Sequence, residues 1–338
     1  MSESAAILPH RQANDPNILA SSSDNGYLLL RDNAHGHGFA DRDFTVSQML
    51  TRRAFLGLGS GLAALGSGTA AYAGYIEPSM RLVVSEYRPA LPSWPADFPL
   101  TIAVIADLHA GGPNMSKARI REVVDTTNAL GADLILNLGD HEAKQRFQTE
   151  IVQPHEWAGL LAELKAPLGV YTVLGNHDWW HNREKVRGAI IAAGLRLFEN
   201  EALLLEKAGR RFWLAGLADQ IAIYLGPSRF RGLDDLPGTL KQITTDDPVV
   251  LMVHEPDIFV DVPDRVALTL AGHTHGGQIH IPGIPNPFIP SAYGERFRYG
   301  HIVEDNRHMI VSGGLGTSHV PVRFGVPPEI VLVRLGQA

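Results

Sequence analysis

Leu100-Thr101-Ile102-Ala103-Val104-Ile105-Ala106-Asp107-Leu108-His109 is an apolar run that ends abruptly in two strongly ligating side chains. The run is too short for a buried helix and rich in β-branched residues, so it reads as a buried strand. A strand serving the core alone has no need of Asp-x-His at its end. The pattern recurs. Asp133–Leu138 runs into Gly139-Asp140, and Gly169–Leu174 runs into Gly175-Asn176-His177-Asp178. Asp107 and Asp140 are 33 residues apart, and Asp140 and Asn176 are 36, each about one β-α-β crossover. Helical spacing over Ser116–Leu130 and His155–Leu164 fills the gaps, and Arg183–Ala193 continues the rhythm. Successive parallel strands would bring these polar ends to one sheet edge, where open α/β sheets bind ligands.

Upstream, Met80–Tyr87 alternates like a strand and a proline-rich link follows. Downstream, the short strands Arg211–Leu217, Val249–Val253, Val266–Ala271, His308–Ser312 and Glu329–Arg334 are punctuated by Gly and Pro, with fewer helices. They predict a second sheet packed on the first. The fold class is therefore α/β, a four-layer α-β-β-α sandwich in one domain over residues 74–338, its core motifs within 100–318. Two more polar clusters follow apolar strands: Val253-His254, and Gly272-His273-Thr274-His275-Gly276-Gly277-Gln278. Each cluster taken singly reads as a turn, a cap or a surface pair. In order and at crossover spacing, they supply Asp107, His109, Asp140, Asn176, His254, His273 and His275, all nitrogen or oxygen ligands.

The chain of 338 residues has no cysteine, which excludes thiolate metal sites, cysteine nucleophiles and disulfides together. Its net charge is −7 and it has no basic block to track a nucleic-acid backbone, so long DNA or RNA is excluded as a first-choice substrate.

The motif set D-x-H, G-D, G-N-H-[DE], H and G-H-x-H resembles that of the calcineurin-like metallophosphoesterases, from about Leu100 to Ser318. The resemblance implies a metallo-dependent phosphatase fold and two divalent or trivalent ions, with Mn²⁺, Fe or Zn²⁺ suiting mixed imidazole and carboxylate ligation. It assigns Asp107, His109 and His275 to the first ion, and Asn176, His254 and His273 to the second. Asp140 would bridge them, one oxygen to each. His177 would stand beside the metals as general acid, paired with Asp178. The implied reaction is hydrolysis of a phosphate mono- or diester through a metal-bridging hydroxide. Gly272–Gln278, Gly314-Leu315-Gly316-Thr317-Ser318, Pro321-Val322-Arg323-Phe324 and Pro327-Pro328-Glu329 resemble a narrower group, the bacterial envelope phosphodiesterases exported by the twin-arginine route. A pyrophosphatase acting on a lipid-linked or nucleotide sugar, as UDP-2,3-diacylglucosamine hydrolases do, stays open as an alternative. So does a non-catalytic metal-binding envelope protein.

Thr51-Arg52-Arg53-Ala54-Phe55-Leu56 resembles a twin-arginine motif, and an uncharged stretch runs on to Ala71-Tyr72-Ala73, a small-x-small cleavage pattern. Residues 51–73 are thus expected to be a signal peptide or N-terminal anchor, read by the twin-arginine translocation machinery; the competing reading is a buried helix. Residues 1–50 are expected to be a disordered tail or a gene-model extension, with Met49 as an alternative start. The protein is then periplasmic or attached to the outer face of the inner membrane. Its expected substrate is a small-molecule or phospholipid-like phosphate ester. Trp179, Trp180 and His181 form either a lip over the site or a packed loop. The apolar, proline-rich insert Ile281–Tyr299 is either a membrane contact or a rigid structural loop. His141, Glu142, His280 and His319 lie near motifs without an assigned role.

Overall fold

The computed structural model describes residues 66–143, 146–227 and 229–336. The expectations for residues 1–50 and for Arg52-Arg53 lie outside them. Of the uncharged stretch, only residues 66–73 lie inside, and they are helical, continuing into Tyr72–Met80.

Six strands make the first sheet: β1 (Val83–Tyr87), β2 (Leu100–Ile105), β3 (Leu134–Asn137), β4 (Val170–Thr172), β5 (Arg196–Leu197) and β14 (Glu329–Leu335). Their order is β1-β14-β2-β3-β4-β5, with β2 through β5 parallel as the crossover spacing predicts. The crossovers are α1 (Lys117–Ala129), α2 (Pro154–Leu161) and α3 (Asn176–Ala192). Ser116 caps α1 through Oγ, which accepts from the Arg119 amide at 3.3 Å, and at the start of α2 Glu156 Oε2 accepts from the Gln153 amide at 2.8 Å. The second sheet contains β6 (Glu201–Lys207), β7 (Arg210–Gly216), β10 (Val249–Met252), β11 (Leu268–Ala271), β12 (Gly300–Glu304) and β13 (Arg307–Val311). Its order is β12-β13-β11-β10-β7-β6, parallel from β13 to β7. A separate hairpin, β8 (Ile223–Gly226) with β9 (Arg229–Arg231), stands apart from both.

Alternation along the strands makes the layers. Ile102 and Val104 of β2 join Leu136, Leu214, Val250 and Leu268 in the core between the sheets, while Ala103 and Ile105 pack with Ile120, Trp157 and Ile190 of the helices. The outer layer on the second sheet is thin: the short α4 (Leu236–Leu240) and 3₁₀ turns such as Pro256–Val260.

Two expectations are corrected here. The Gly- and Pro-punctuated spacing predicts Glu329–Arg334 in the second sheet, yet β14 sits in the first, antiparallel to β2. Both of its faces are apolar, Val331 and Val333 toward the second sheet and Ile330 and Leu332 toward the helices, so it suits a central position covered on both sides. The third helix also starts earlier than Arg183. It opens at Asn176 and breaks at Asn182, where φ is −161° and ψ 73°, so the Gly-Asn-His-Asp motif is itself its first turn.

Candidate metal centre

Five strands from both sheets end at one place. Asp107 and His109 follow β2, Asp140 follows β3, and the turn after β4 opens α3 at Asn176; His254 follows β10, and His273 and His275 follow β11. Backbone bonds tie these ends together. The Asp107 amide donates to the Gly139 carbonyl at 3.0 Å, His109 to Asp140 at 2.9 Å and Gly272 to His254 at 3.0 Å. The His273 amide donates across the sheets to both carboxylate oxygens of Asp107, at 2.9 and 3.1 Å. Five of the expected ligands hold left-handed backbone: Asp107 (φ 54°), His109 (44°), Asp140 (56°), His273 (71°) and His275 (53°). Such a conformation costs on the order of 1 kcal/mol or more per non-glycine residue, and it gathers at functional sites. Two glycines make room. A Cβ on Gly175 would collide with Asp140 Oδ1 and reach His254 Cε1 at 2.6 Å; one on Gly314 (φ 70°) would meet Asp107 Cβ at 2.8 Å.

The ligands expected from the sequence form two groups. Asp107, His109 and His275 present ligand atoms within 4.8 Å of one another, and so do Asp140, His254 and His273. Asn176 Oδ1 lies 2.9 Å from His273 Nδ1. Asp140 Oδ2 lies 3.5 Å from His109 Nε2 and 3.3 Å from His254 Nε2, so one oxygen faces both groups. The other oxygen, Oδ1, accepts from the His177 amide at 2.8 Å.

Tautomers and charge test whether cations fit. His254 donates from Nδ1 to the Leu138 carbonyl at 2.6 Å, which turns Nε2 toward Asp140 Oδ2, 3.3 Å away, where a cation would take the place of the Nε2 proton. His109 is set the same way by the Glu142 carbonyl at 2.8 Å. Burial holds His109 down to about 3 and His273 down to about 4, so both rings are neutral and able to ligate. Burial, and then the Asp140 charge, push Asp107 up to about 7. Burial opposes charge on Asp140 and His254 too, but their mutual attraction outweighs it, holding Asp140 low and His254 high. A buried nest of acceptor atoms and carboxylates with no sulfur is a donor set that fits paired cations.

The sequence pattern described as Calcineurin-like phosphoesterase matches residues 100–277. The chain belongs to that family. This calcineurin-like phosphoesterase is similar to the uncharacterized metallophosphoesterase YkuE of Bacillus subtilis strain 168, at 31% identity over 298 residues covering 85% of this chain and 98% of that one. It is also similar to the phosphodiesterase YaeI of Escherichia coli K12, at 26% over 298 residues covering 85% and 100%. It is a metal-dependent phosphoric ester hydrolase of a dinuclear family, its candidate ligands gathered as described.

In the phosphoesterase, Asp178 does not pair with His177. Its Oδ1 accepts from the amides of His141 (2.9 Å) and Glu142 (3.1 Å), and its Oδ2 from the Gly175 amide (3.1 Å) and from His141 Nδ1 (2.8 Å). Asp178 therefore clamps the Asp140 turn to the Asn176 turn. His141, without a role in the sequence, completes this clamp: its Nε2 meets Asn137 Nδ2 at 2.8 Å, and its ring stacks on Trp157 at 4.7 Å. Arg323 is the other residue whose part was missed. Fully buried, it donates to the carbonyls of Gly316 (2.9 Å) and Val326 (3.0 Å) and approaches His275 Nδ1 at 3.2 Å. Its place in the Pro-Val-Arg-Phe string was the available signal.

His177 stays on the reaction side. It offers a ligand atom within 4.8 Å of those of His109 and Asp140, its Nε2 lies 3.4 Å from Ser318 Oγ, and its buried Nδ1 has no partner among the described residues. It also lines a cavity of about 960 Å³ with Arg146, Trp180, Tyr224, Phe230 and His319. The two tryptophans part ways. Trp180 forms the lip, stacked on Phe230 at 5.5 Å, whereas Trp179 lines the cavity wall while packing against the helical core, with the Arg183 guanidinium 4.8 Å from its ring.

Proposed function

We propose that this phosphoesterase is a binuclear phosphodiesterase or phosphomonoesterase of the cell envelope. Asp140 carries this reading, since its Oδ2 lies 3.5 Å from an imidazole of one ligand group and 3.3 Å from one of the other. Asp107, His109 and His275 would hold one ion, and Asn176, His254 and His273 the second; Mn²⁺, Fe and Zn²⁺ all suit these donors. When bound, the pair of ions supplies a hydroxide nucleophile at neutral pH and neutralises the phosphate oxygens. The protein's residues do the rest. Neutral Asn176 limits anionic charge in its group. Burial lowers the His177 pKa and an incoming phosphate opposes that shift, so His177 can hold and deliver a proton to the leaving oxygen. The leaving group would extend past it into the aromatic cavity. Arg146 and Arg183 on that cavity favour a substrate with a second anionic group, which sustains the pyrophosphatase reading as the alternative.

The test is a panel of phosphate monoesters, diesters and pyrophosphate esters offered to the metal-loaded protein. Diester or monoester turnover is expected. Turnover of pyrophosphates alone would select the alternative, and no turnover by protein holding two ions would overturn both.

Arg52-Arg53, the uncharged stretch Ala54–Ala73 and Ala71-Tyr72-Ala73 support export by the twin-arginine machinery. The double variant Arg52→Lys/Arg53→Lys is expected to stay in the cytoplasm. Unchanged periplasmic activity in fractionated cells would exclude that route.

A further inference from the structure

The surface loop that follows the His-x-His motif is unusual in having no charge. From Gln278 to Tyr293, sixteen residues, there is no Asp, Glu, Lys or Arg. Ile289 is buried, but four apolar side chains point outward: Phe288 is 86% exposed, Ile284 59%, and Ile279 and Ile281 42% each. Contiguous exposed apolar groups of this kind mark an interaction surface. The loop is also stiff. Asn286 Nδ2 donates to the carbonyls of Gly277 (2.8 Å) and Ile279 (2.9 Å), the Ala292 amide is held by Asp257 at 2.7 Å, and Pro282, Pro285, Pro287 and Pro290 restrict the backbone between. A purely structural loop accounts for the prolines but not for the outward Phe and Ile side chains.

The surroundings name the occupant. The root of the loop pairs with the stretch after Pro321: the His280 amide donates to the Phe324 carbonyl at 2.7 Å, and the Phe324 amide to Gln278 at 2.9 Å. That stretch also takes up the chain's N-terminal segment. The Arg323 amide donates to the Ala73 carbonyl at 2.9 Å, the Tyr72 ring meets Phe324 at 6.1 Å, and the Val326 amide donates to Glu77 at 2.7 Å. Residues 66–73, the described end of the uncharged stretch, therefore meet the fold next to the uncharged loop. The same root reaches the substrate cavity, because Gln278 bonds Val320 and Ser318, which flank the cavity residue His319.

We propose that Ile279, Ile281, Ile284 and Phe288 form a membrane-docking surface that seats the mouth of the metal centre on a lipid bilayer, with the N-terminal segment kept as a tether at the same edge. Burying apolar side chains in the interfacial region drives such docking. The proposal rests on the phosphoesterase reading only for its consequence, that the substrate is presented at a lipid surface.

Docking can be read without turnover. The chain lacks cysteine, so Phe288→Cys carries a single environment-sensitive fluorophore. Glu206→Cys, exposed on β6 at the end of the second sheet remote from the ligands, is the control. The full chain is mixed with vesicles of phosphatidylethanolamine and phosphatidylglycerol, with and without brominated acyl chains. The label at 288 is expected to shift to the blue and be quenched by bromolipid, and the label at 206 to do neither. Adding Ile281→Glu and Ile284→Glu should cut the signal at 288 about fivefold or more, since docking scales with buried apolar area. Hydrolysis of bis(p-nitrophenyl) phosphate should be unchanged in that variant. An unquenched 288 label on protein that floats with vesicles would overturn the proposal, leaving a tether alone. So would a blue shift already present without vesicles, which assigns the loop to the chain itself or to a second copy. Bromolipid quenching in protein that hydrolyses no ester would sink the phosphoesterase reading and leave docking standing.

Discussion

His177 and Asp178 are adjacent in one helical turn and face opposite ways. His177 borders the cavity and the ligand atoms, while Asp178 receives two groups of His141 and the amides of Glu142 and Gly175. Their substitutions should differ in kind. His177→Asn is expected to keep both ions and lose roughly 10²–10⁴-fold in kcat on an alkyl diester, and much less on a nitrophenyl diester, whose leaving group needs no proton. Asp178→Asn is expected to weaken metal binding by about 10–100-fold, with equal losses on both substrates, because it loosens the supports of the ligands. The measurements are kcat on both diesters and metal content for each variant. Equal losses in His177→Asn would remove the proton-delivery role, and lost metal would make His177 a ligand. The candidate ligands were legible because each follows an apolar run at its polar end. The pairing of Asp178 was not, since it depends on the Asp140 turn approaching from 37 residues away.

The β-α-β succession of the first sheet was legible as well, because buried parallel strands and amphipathic crossover helices leave distinct periods. The remaining elements were less so. The edge strands β6 and β12, half-exposed and carrying charges such as Glu201, Lys207 and Glu304 at their ends, show no clear apolar/polar alternation. Strand β14 is apolar on both faces, which says that it is buried without saying in which sheet. Trp157 shows how an element reaches the site. Fully buried in α2, it stacks on His141 and donates to Glu142 Oε1 at 3.1 Å, while the Glu142 carbonyl orients His109. Trp157→Ala should destabilise the fold by about 3–5 kcal/mol in denaturant unfolding, through the cavity left behind. It should also weaken metal binding. A loss under about 1 kcal/mol would show that the site collapses without cost and that α2 does not brace the clamp.

At the scale of the molecule, neither sheet alone supplies either of the two ligand groups assigned from the sequence. The first group takes Asp107 and His109 from the first sheet and His275 from the second; the other takes Asp140 and Asn176 from the first and His254 and His273 from the second. The proposed ions would thus join two sheets as well as prepare a reaction. Metal present at about 1,000 times its Kd would add roughly 4 kcal/mol to stability, which a chelator would remove as a lower Tm. Asp140 is the residue on which both groups depend, so metal analysis of the purified wild type beside Asp140→Asn is the most direct measurement. Two ions per chain in the wild type, with loss of both ions and nearly all phosphoesterase activity in the variant, is the predicted result. Two tightly held ions in Asp140→Asn would contradict the shared carboxylate and, with it, the binuclear centre as assigned.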